Sequence, residues 1–148
     1  MKPLFVLLVS FGIAMVATKI FTHHIDFASA ARIAMSVMLL FTASGHFAFP
    51  RGMMIMLPAF IPFRLGLVYI TGIIEVMAAI GLQIESLRNP TAILLIIFFI
   101  LVLPANIYAA AKNINYQTGK EDGKGFNYLW FRIPLQILFI IWTWMSTQ

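Results

Sequence analysis

The residues best suited to chemistry in this chain are five polar side chains inside long apolar segments. Glu75 lies near the middle of the run from Leu65 to Leu82, which contains no other charged residue. A charge at bilayer depth costs about 2.5–3.5 kcal/mol on insertion scales, so we expect this carboxylate to face the inside of a helix bundle and to have a partner. The other four side chains are His46, Asn106, Arg132 and Gln136. Together these groups can hydrogen-bond a polar headgroup and move protons.

The same residues also allow purely structural interpretations. Glu75 and Arg132 can form an ion pair that only fixes helix order, and a buried pair is weak evidence for stability. Asn106 and Gln136 can bridge helices through hydrogen bonds worth about 0.6–2 kcal/mol each. His46, close to a segment end, can contact lipid headgroups. We favour a functional cavity around Glu75 and Arg132, because ionisable groups inside membranes usually mark functional sites.

Five apolar segments are long enough to position these groups. They lie at about residues 3–21, 28–49, 64–82, 91–111 and 126–145. Each approaches the ~20 residues that a helix needs to cross ~30 Å of hydrocarbon. The sequence therefore predicts an all-α fold, a polytopic membrane helix bundle in which residues 1–148 form a single transmembrane domain. Residues 50–62, rich in Met and broken by Pro58, are predicted to form an interfacial or re-entrant segment.

The first segment also resembles a signal peptide. Lys2 precedes its apolar run, and Ala28-Ser29-Ala30 has the small-x-small form of a cleavage site. That site is separated from the apolar run by Lys19 and Asp26, and the run is long for a signal. We therefore favour an uncleaved membrane-spanning helix.

The basic residues divide unequally between the two sides of a five-span chain. One side holds Lys2, Arg51, Arg64, Lys112, Lys120 and Lys124, and the other holds Lys19, Arg32 and Arg88. The richer side should be cytoplasmic. We therefore predict a cytoplasmic N-terminus and an external C-terminus. At about 1.5 Å per helical residue, all five polar groups then fall at mid-depth or in the inner half of the bilayer.

Composition excludes several other classes of protein. The chain is 61% hydrophobic and only 10% charged, whereas soluble domains carry about 25% charged residues. Its formal net charge is +5, but its basic residues form no run or stripe, which argues against nucleic acid as a partner. It has no cysteine, which excludes thiolate nucleophiles, iron–sulfur ligation and cysteine-based zinc sites. His23, His24 and Asp26 have no further ligand nearby, so we predict no metal site.

Five short motifs resemble those of the DoxX-like family of small bacterial integral membrane proteins. They are Ser44-Gly45-His46-Phe47, Leu57-Pro58-Ala59-Phe60-Ile61-Pro62, Thr71-Gly72-Ile73-Ile74-Glu75, Leu103-Pro104-Ala105-Asn106-Ile107 and Arg132-Ile133-Pro134-Leu135-Gln136. The resemblance covers about Arg32 to Trp142 and implies a four-helix membrane core, here preceded by one N-terminal transmembrane helix. It also implies a location in the bacterial inner (plasma) membrane. Some members are linked to quinone-dependent thiosulfate oxidation or to oxidative-stress complexes, and most have no assigned activity.

Two functions from different classes follow from these observations. In the first, a redox-associated subunit binds a quinone-like molecule; His46, Asn106, Arg132 and Gln136 donate hydrogen bonds to its carbonyl oxygens, and Glu75 relays protons. In the second, a non-catalytic protein binds membrane lipid, or assembles a complex with a membrane or peripheral protein. We expect no independent catalytic activity in either case, and quinone is the one cofactor we consider. A cavity open to lipid favours a ligand, whereas a sealed Glu75–Arg132 pair favours a structural role.

Overall fold

The computed structural model of this protein describes residues 2–115, 117–120, 123 and 125–147. Its helices are α1 (Lys2–Thr22), α2 (Phe27–Ala48), α3 (Pro50–Met54), α4 (Arg64–Gly81), α5 (Glu85–Ala111) and α6 (Gly125–Ser146). Within these ranges, extended pairing is limited to the isolated bridge between Asn115 and Lys120. Five of the helices are long and apolar enough to cross a membrane. The predicted all-helical, multi-pass architecture is confirmed at this level.

The start of α5 differs most from the sequence prediction. We placed this helix at about residues 91–111, where the apolar run lies, but it begins at Glu85. Glu85 is an acidic residue in the first turn, where unpaired N–H groups and the helix dipole favour negative charge. Pro90 is the sixth residue of this helix, so it lacks the N–H that would bond the carbonyl of Ser86. Hydropathy marks the part of a helix that suits hydrocarbon, and the helix itself continues beyond that part.

The central helix of the bundle is α2, which packs against α1, α3, α4 and α6. Its buried Met35, Met38 and Leu39 share one core cluster with Leu82 after α4 and Leu95 of α5. Lipid tails are as apolar as these side chains, so van der Waals packing and interhelical hydrogen bonds hold such helices together in a bilayer. Small residues, which let two helix backbones approach closely, therefore help to position the polar site.

Large apolar side chains cover the outside of the bundle. Phe5, Ile13, Met77, Leu94 and Leu101 are all largely exposed. On a water-soluble protein a continuous surface of this kind would cause association. On helices of membrane-spanning length it is the surface that faces lipid.

Glycines set the distances between α4 and its neighbours. A Cβ added at Gly72 would lie 2.8 Å from the Cβ of His46, and one added at Gly81 would collide with the Thr91 hydroxyl. Real Cβ atoms do not approach so closely, so the α2–α4 contact depends on Gly72 and the α4–α5 contact on Gly81. The small residue at Gly72 thus allows close helix approach beside Glu75.

Helix α6 contacts α1 and α2 through Trp142. Its indole Nε1 donates a 3.1 Å hydrogen bond to the carbonyl of Ala31 in α2. Its ring packs edge-on against Phe11 of α1, with centroids 5.0 Å apart. Leu7 of α1 is fully buried as well. The first helix is therefore packed into the bundle along α2.

Two ends of the bundle are distinguished below. The His46 end contains the end of α2, the α3 segment, the start of α4, the end of α5 and the start of α6. The Arg32 end is the opposite one and contains the start of α2, the end of α4, the start of α5 and the end of α6. At the His46 end, Pro50–Met54 is a single short helix followed by turns, as expected for a segment too short to cross.

Candidate functional site

Glu75 of α4 pairs with His46 of α2 at the interface between these helices. His46 Nε2 lies 3.6 Å from Glu75 Oε1, and the two side chains are 17% and 10% exposed respectively. Helical side chains lean toward the start of their own helix, so the Glu75 carboxylate is displaced toward the His46 end. That displacement brings it to the level of an imidazole that lies close to the end of α2.

The backbone of α4 fixes the orientation of the His46 ring. Nδ1 of His46 lies 2.9 Å from the carbonyl oxygen of Val68 and 3.1 Å from the hydroxyl oxygen of Thr71. A carbonyl oxygen only accepts, so Nδ1 carries a proton and donates it to Val68; this tautomer is assigned from the acceptor. Nε2 is then the nitrogen that takes up or releases a proton, and it faces Glu75.

A proton held between His46 and Glu75 has two possible positions, and exchange between them requires the two groups to move closer than 3.6 Å, which is longer than a hydrogen bond. The proton can lie on His46 Nε2, giving an imidazolium and a carboxylate, or on Glu75, giving two neutral groups. Neither form carries a net charge, which limits the cost of burial. Exchange between the two forms is the behaviour required of a general acid–base pair.

Two buried polar atoms of the predicted site lack a hydrogen-bond partner among the described residues. They are Glu75 Oε2 and Asn106 Nδ2, on residues that are 7% and 4% exposed. An unpaired buried polar group costs about 1–3 kcal/mol. Native proteins rarely tolerate such groups without a water, an ion or a ligand to satisfy them.

Gln136 already has a protein partner. Its Nε2 donates a 2.7 Å hydrogen bond to the carbonyl oxygen of Phe99 in α5. The bond joins α6 to α5, and the side chain is buried. In this geometry Gln136 is a bridge between helices, whatever else it contacts.

Arg132 is partly buried on α6 and makes an interaction of its own. Among the described residues, the ion pair formed by Glu75 is with His46. The physical reason is the packing order: α4 packs against α2, α3 and α5, whereas α6 packs against α2 and α5. The Glu75–Arg132 pair stays a structural alternative of the sequence analysis.

A second polar link between α2 and α4 was missed by the sequence analysis. The hydroxyl of Ser36 donates a 2.7 Å bond to the carbonyl of Ala79, and Gln83 Nε2 donates a 2.7 Å bond to the same hydroxyl. Positions 32, 36, 39, 43 and 46 fall on one stripe of α2, since residues three and four apart share a helix face. That spacing is the signal that would have placed Ser36 beside α4.

A groove of about 750 Å³ opens at the His46 end. It is lined by the end of α2, by α3, by Leu65 at the start of α4 and by residues 117–119. Phe47, the neighbour of His46, forms part of its wall, and Arg51 supplies a charged side chain. The groove is thus a wide, partly apolar opening on the same end of the bundle as His46.

Comparison with known proteins identifies a family of unknown function. No curated protein matches this chain, and no solved structure matches it. The family model described as a domain of unknown function, DUF8561, matches residues 35–147. The match includes most of α2 and all of α3 to α6, and it leaves α1 outside. On this match the chain belongs to the DUF8561 family.

Proposed function

We propose that this protein is a DoxX-like subunit of the bacterial plasma membrane, associated with redox chemistry, that binds a quinone-like molecule at the polar site around Glu75. The observation that supports the proposal best is the state of the Glu75 carboxylate. One oxygen faces His46, and the other is buried without a partner among the described residues. A ligand with hydrogen-bonding oxygens would satisfy this atom.

A quinone matches the groups that remain unsatisfied. Each of its two carbonyl oxygens accepts hydrogen bonds. The Asn106 amide has a donor without a partner in the described part of the chain, and Glu75 becomes a donor when it holds a proton. Glu75 and Asn106 start about 16 Å and about 7 Å from the His46 ends of their helices, at 1.5 Å per residue. Because α4 and α5 run in opposite directions, their side chains lean toward a common level.

The proposed chemistry is binding and proton transfer. Reduction of a quinone to a quinol takes two electrons and two protons. The electrons would come from a redox partner protein, because the chain contains no cysteine for thiol chemistry. The His46–Glu75 pair would pass protons to a quinone oxygen and be reprotonated from the water side. We therefore expect no turnover from the isolated protein.

The orientation belongs to the same proposal. The excess of Lys and Arg at the His46 end supports a cytoplasmic location for that end. The N-terminus is then cytoplasmic, the C-terminus is outside, and the His46–Glu75 pair lies in the inner half of the bilayer.

The test is a titration of the purified protein in lipid nanodiscs with a short-chain quinone. Wild-type protein should bind saturably, and Glu75→Gln should bind about tenfold or more weakly, because a hydrogen bond to a charged group contributes about 1.5–3 kcal/mol. Glu85→Gln is the matched control, since Glu85 is an exposed carboxylate at the other end of the bundle. Absence of saturable binding by the wild-type protein, or equal binding by Glu75→Gln, would refute the proposal.

The groove at the His46 end favours a second function, in which the protein binds lipid or a membrane partner without redox chemistry. The groove offers Arg51 as a cation and Met54 as an adaptable apolar contact. A lipid or protein that co-purifies with the wild type and with Glu75→Gln, but not with Arg51→Gln, would support this alternative over the quinone site.

A further inference from the structure

The groove at the His46 end has an apolar wall that is built from the ends of two membrane-spanning helices. Phe47 of α2, Ile55 after α3 and Leu65 of α4 line this wall. Helix α2 ends one residue after Phe47, and α4 begins one residue before Leu65. The groove therefore lies where hydrocarbon meets water, at the level of lipid headgroups and the first carbons of their chains.

A second wall of the groove is a closed turn in the connection between α5 and α6. The amide of Gly119 donates a 2.8 Å hydrogen bond to the carbonyl of Asn115, and the amide of Asn115 donates a 2.8 Å bond to the carbonyl of Lys120. Gln117 and Thr118 of this turn line the groove. The groove thus combines an apolar wall from the helices with a polar wall from the turn.

Arg51 of α3 brings a positive charge to the lining of the groove. Its side chain is exposed and has no hydrogen bond or ion pair among the described residues. The connecting segments at this end carry five basic and two acidic residues, namely Arg51, Arg64, Lys112, Lys120 and Lys124 against Glu121 and Asp122. The last three in sequence, residues 121, 122 and 124, lie outside the described ranges. With both acids counted, the excess of positive charge still attracts anions to this end.

The connection between α3 and α4 favours lipid over a soluble molecule as the occupant. Phe60 and Phe63 lie in this connection, at the same end of the bundle as the groove, and are 86% and 88% exposed. Large apolar side chains beside basic residues are typical of segments that lie in the membrane interface. The surroundings of the groove therefore suit a molecule that belongs to the bilayer.

We propose that this groove binds an anionic phospholipid, with its phosphate at Arg51 and an acyl chain along the apolar wall. The planar guanidinium fork matches phosphate oxygens, and Gln117 offers an exposed amide for further hydrogen bonds. The volume of about 750 Å³ lies within the range of about 300–1,000 Å³ that is usual for small-molecule sites. A zwitterionic headgroup brings a cation of its own, which the basic surroundings disfavour.

This inference rests on the second function proposed above, lipid binding in the groove, and names the class of headgroup. It is independent of the quinone site around Glu75. Glu75→Gln should therefore bind phospholipid like the wild type, so that failure of either proposal leaves the other open to its own test.

The test titrates the full-length protein in detergent with short-chain phosphatidylglycerol and, separately, with phosphatidylcholine of the same chain length. Native mass spectrometry measures the bound lipid. The wild type should prefer phosphatidylglycerol about fivefold, the effect of one basic residue at an anionic surface. Arg51→Gln should lose this preference, and Arg51→Lys should keep most of it. Lys112→Gln is the matched control, because Lys112 is an exposed cation directly after α5 and is not among the residues that line the groove.

Loss of the preference in Arg51→Gln, with Lys112→Gln unchanged, would support the site. An equal preference in wild type and Arg51→Gln would overturn it. An equal loss in Lys112→Gln would do the same, because it would show attraction to net charge alone. Displacement of the lipid by a soluble polyglutamate peptide would overturn the proposal in favour of an acidic protein partner.

Leu65→Gln separates the headgroup class from lipid binding as such. This change places a polar group in the apolar wall, so it should weaken the binding of both lipids. If the wild type binds both lipids equally and Leu65→Gln weakens both, the anionic class is refuted and lipid binding in the groove stands. If the wild type binds neither lipid, both are refuted.

Discussion

The imidazole of His46 lies 3.6 Å from the carboxylate of Glu75. These residues lie on α2 and α4, which approach each other closely at Gly72. The ring is held by Val68 and Thr71 on α4 itself. The pair is therefore a product of one helix–helix contact, in which a missing side chain allows a buried acid to meet a base. Changes to that contact should alter both the stability of the bundle and the chemistry of the pair.

Substitution of Gly72 tests the contact itself. In Gly72→Ala the new Cβ would lie 2.8 Å from the His46 Cβ, so α2 and α4 must separate. We expect a loss of about 1–3 kcal/mol in stability, the usual cost of overpacking, measured by unfolding in mixed detergent micelles. Gly66→Ala is the control on the same helix, because its Cβ would meet nothing within 4 Å. Equal stability of Gly72→Ala and Gly66→Ala would contradict the role assigned to Gly72.

The Ser36 link should stabilise the same interface from its other end. Ser36→Ala removes the donor to Ala79 and the acceptor for Gln83 together. We expect a loss of about 0.5–1.5 kcal/mol, the net value of a typical hydrogen bond. A double-mutant cycle with Gln83→Ala should be non-additive, because the two residues share one bond. Additive losses would show that the Gln83 bond contributes nothing to stability.

Gln136 should matter to packing through its bond to Phe99. Gln136→Leu introduces an apolar side chain of similar size and removes the 2.7 Å bond between α6 and α5. Hydrogen bonds of this kind in membrane proteins contribute about 0.6 kcal/mol on average and up to about 1.7 kcal/mol. A loss in that range is expected from unfolding measurements. Ile137→Leu, on the exposed side of α6, should leave the stability unchanged; an equal loss there would contradict the assignment.

Asp26, at the start of α2, should make the stability of the folded protein depend on pH. The hydrogen bond from the Ser29 amide holds the pKa of this carboxyl below its usual value of 3.8. A lowered folded-state pKa means that the stabilisation is present above the unfolded-state value and is lost as pH falls through the folded-state value. The effect should be small, because Asp26 is exposed and screened by solvent.

Thermal unfolding between about pH 6 and pH 2 measures the contribution of Asp26 to stability, since this range brackets the pKa of an unperturbed carboxyl group. Asp26→Asn keeps a capping oxygen and removes the titrating group. The variant should therefore lose less stability than the wild type on acidification. Identical acid dependence of the two proteins would remove Asp26 as a source of it.

The length of the apolar segments was enough to predict the number and approximate limits of the spanning helices. Hydropathy did not predict the start of α5 at Glu85, because polar residues extend the helix beyond the apolar run. Segment ends also placed His46 and Glu75 at mid-depth or in the inner half of the bilayer. Periodicity assigns a face to each residue, but it does not say which helix lies against that face. For this reason the sequence analysis named Arg132 as a possible partner of Glu75, and the ion pair with His46 became evident only from the three-dimensional packing.

The central claim is that the free Glu75 oxygen marks a ligand site, and retained small molecules test it most directly. Wild-type protein, Glu75→Gln and Glu85→Gln would be extracted gently from membranes, and their bound molecules identified by mass spectrometry. The account predicts that a quinone-like molecule accompanies the wild type and Glu85→Gln and is lost from Glu75→Gln. If the wild type retains no such molecule, or if Glu75→Gln retains it equally, the claim is contradicted.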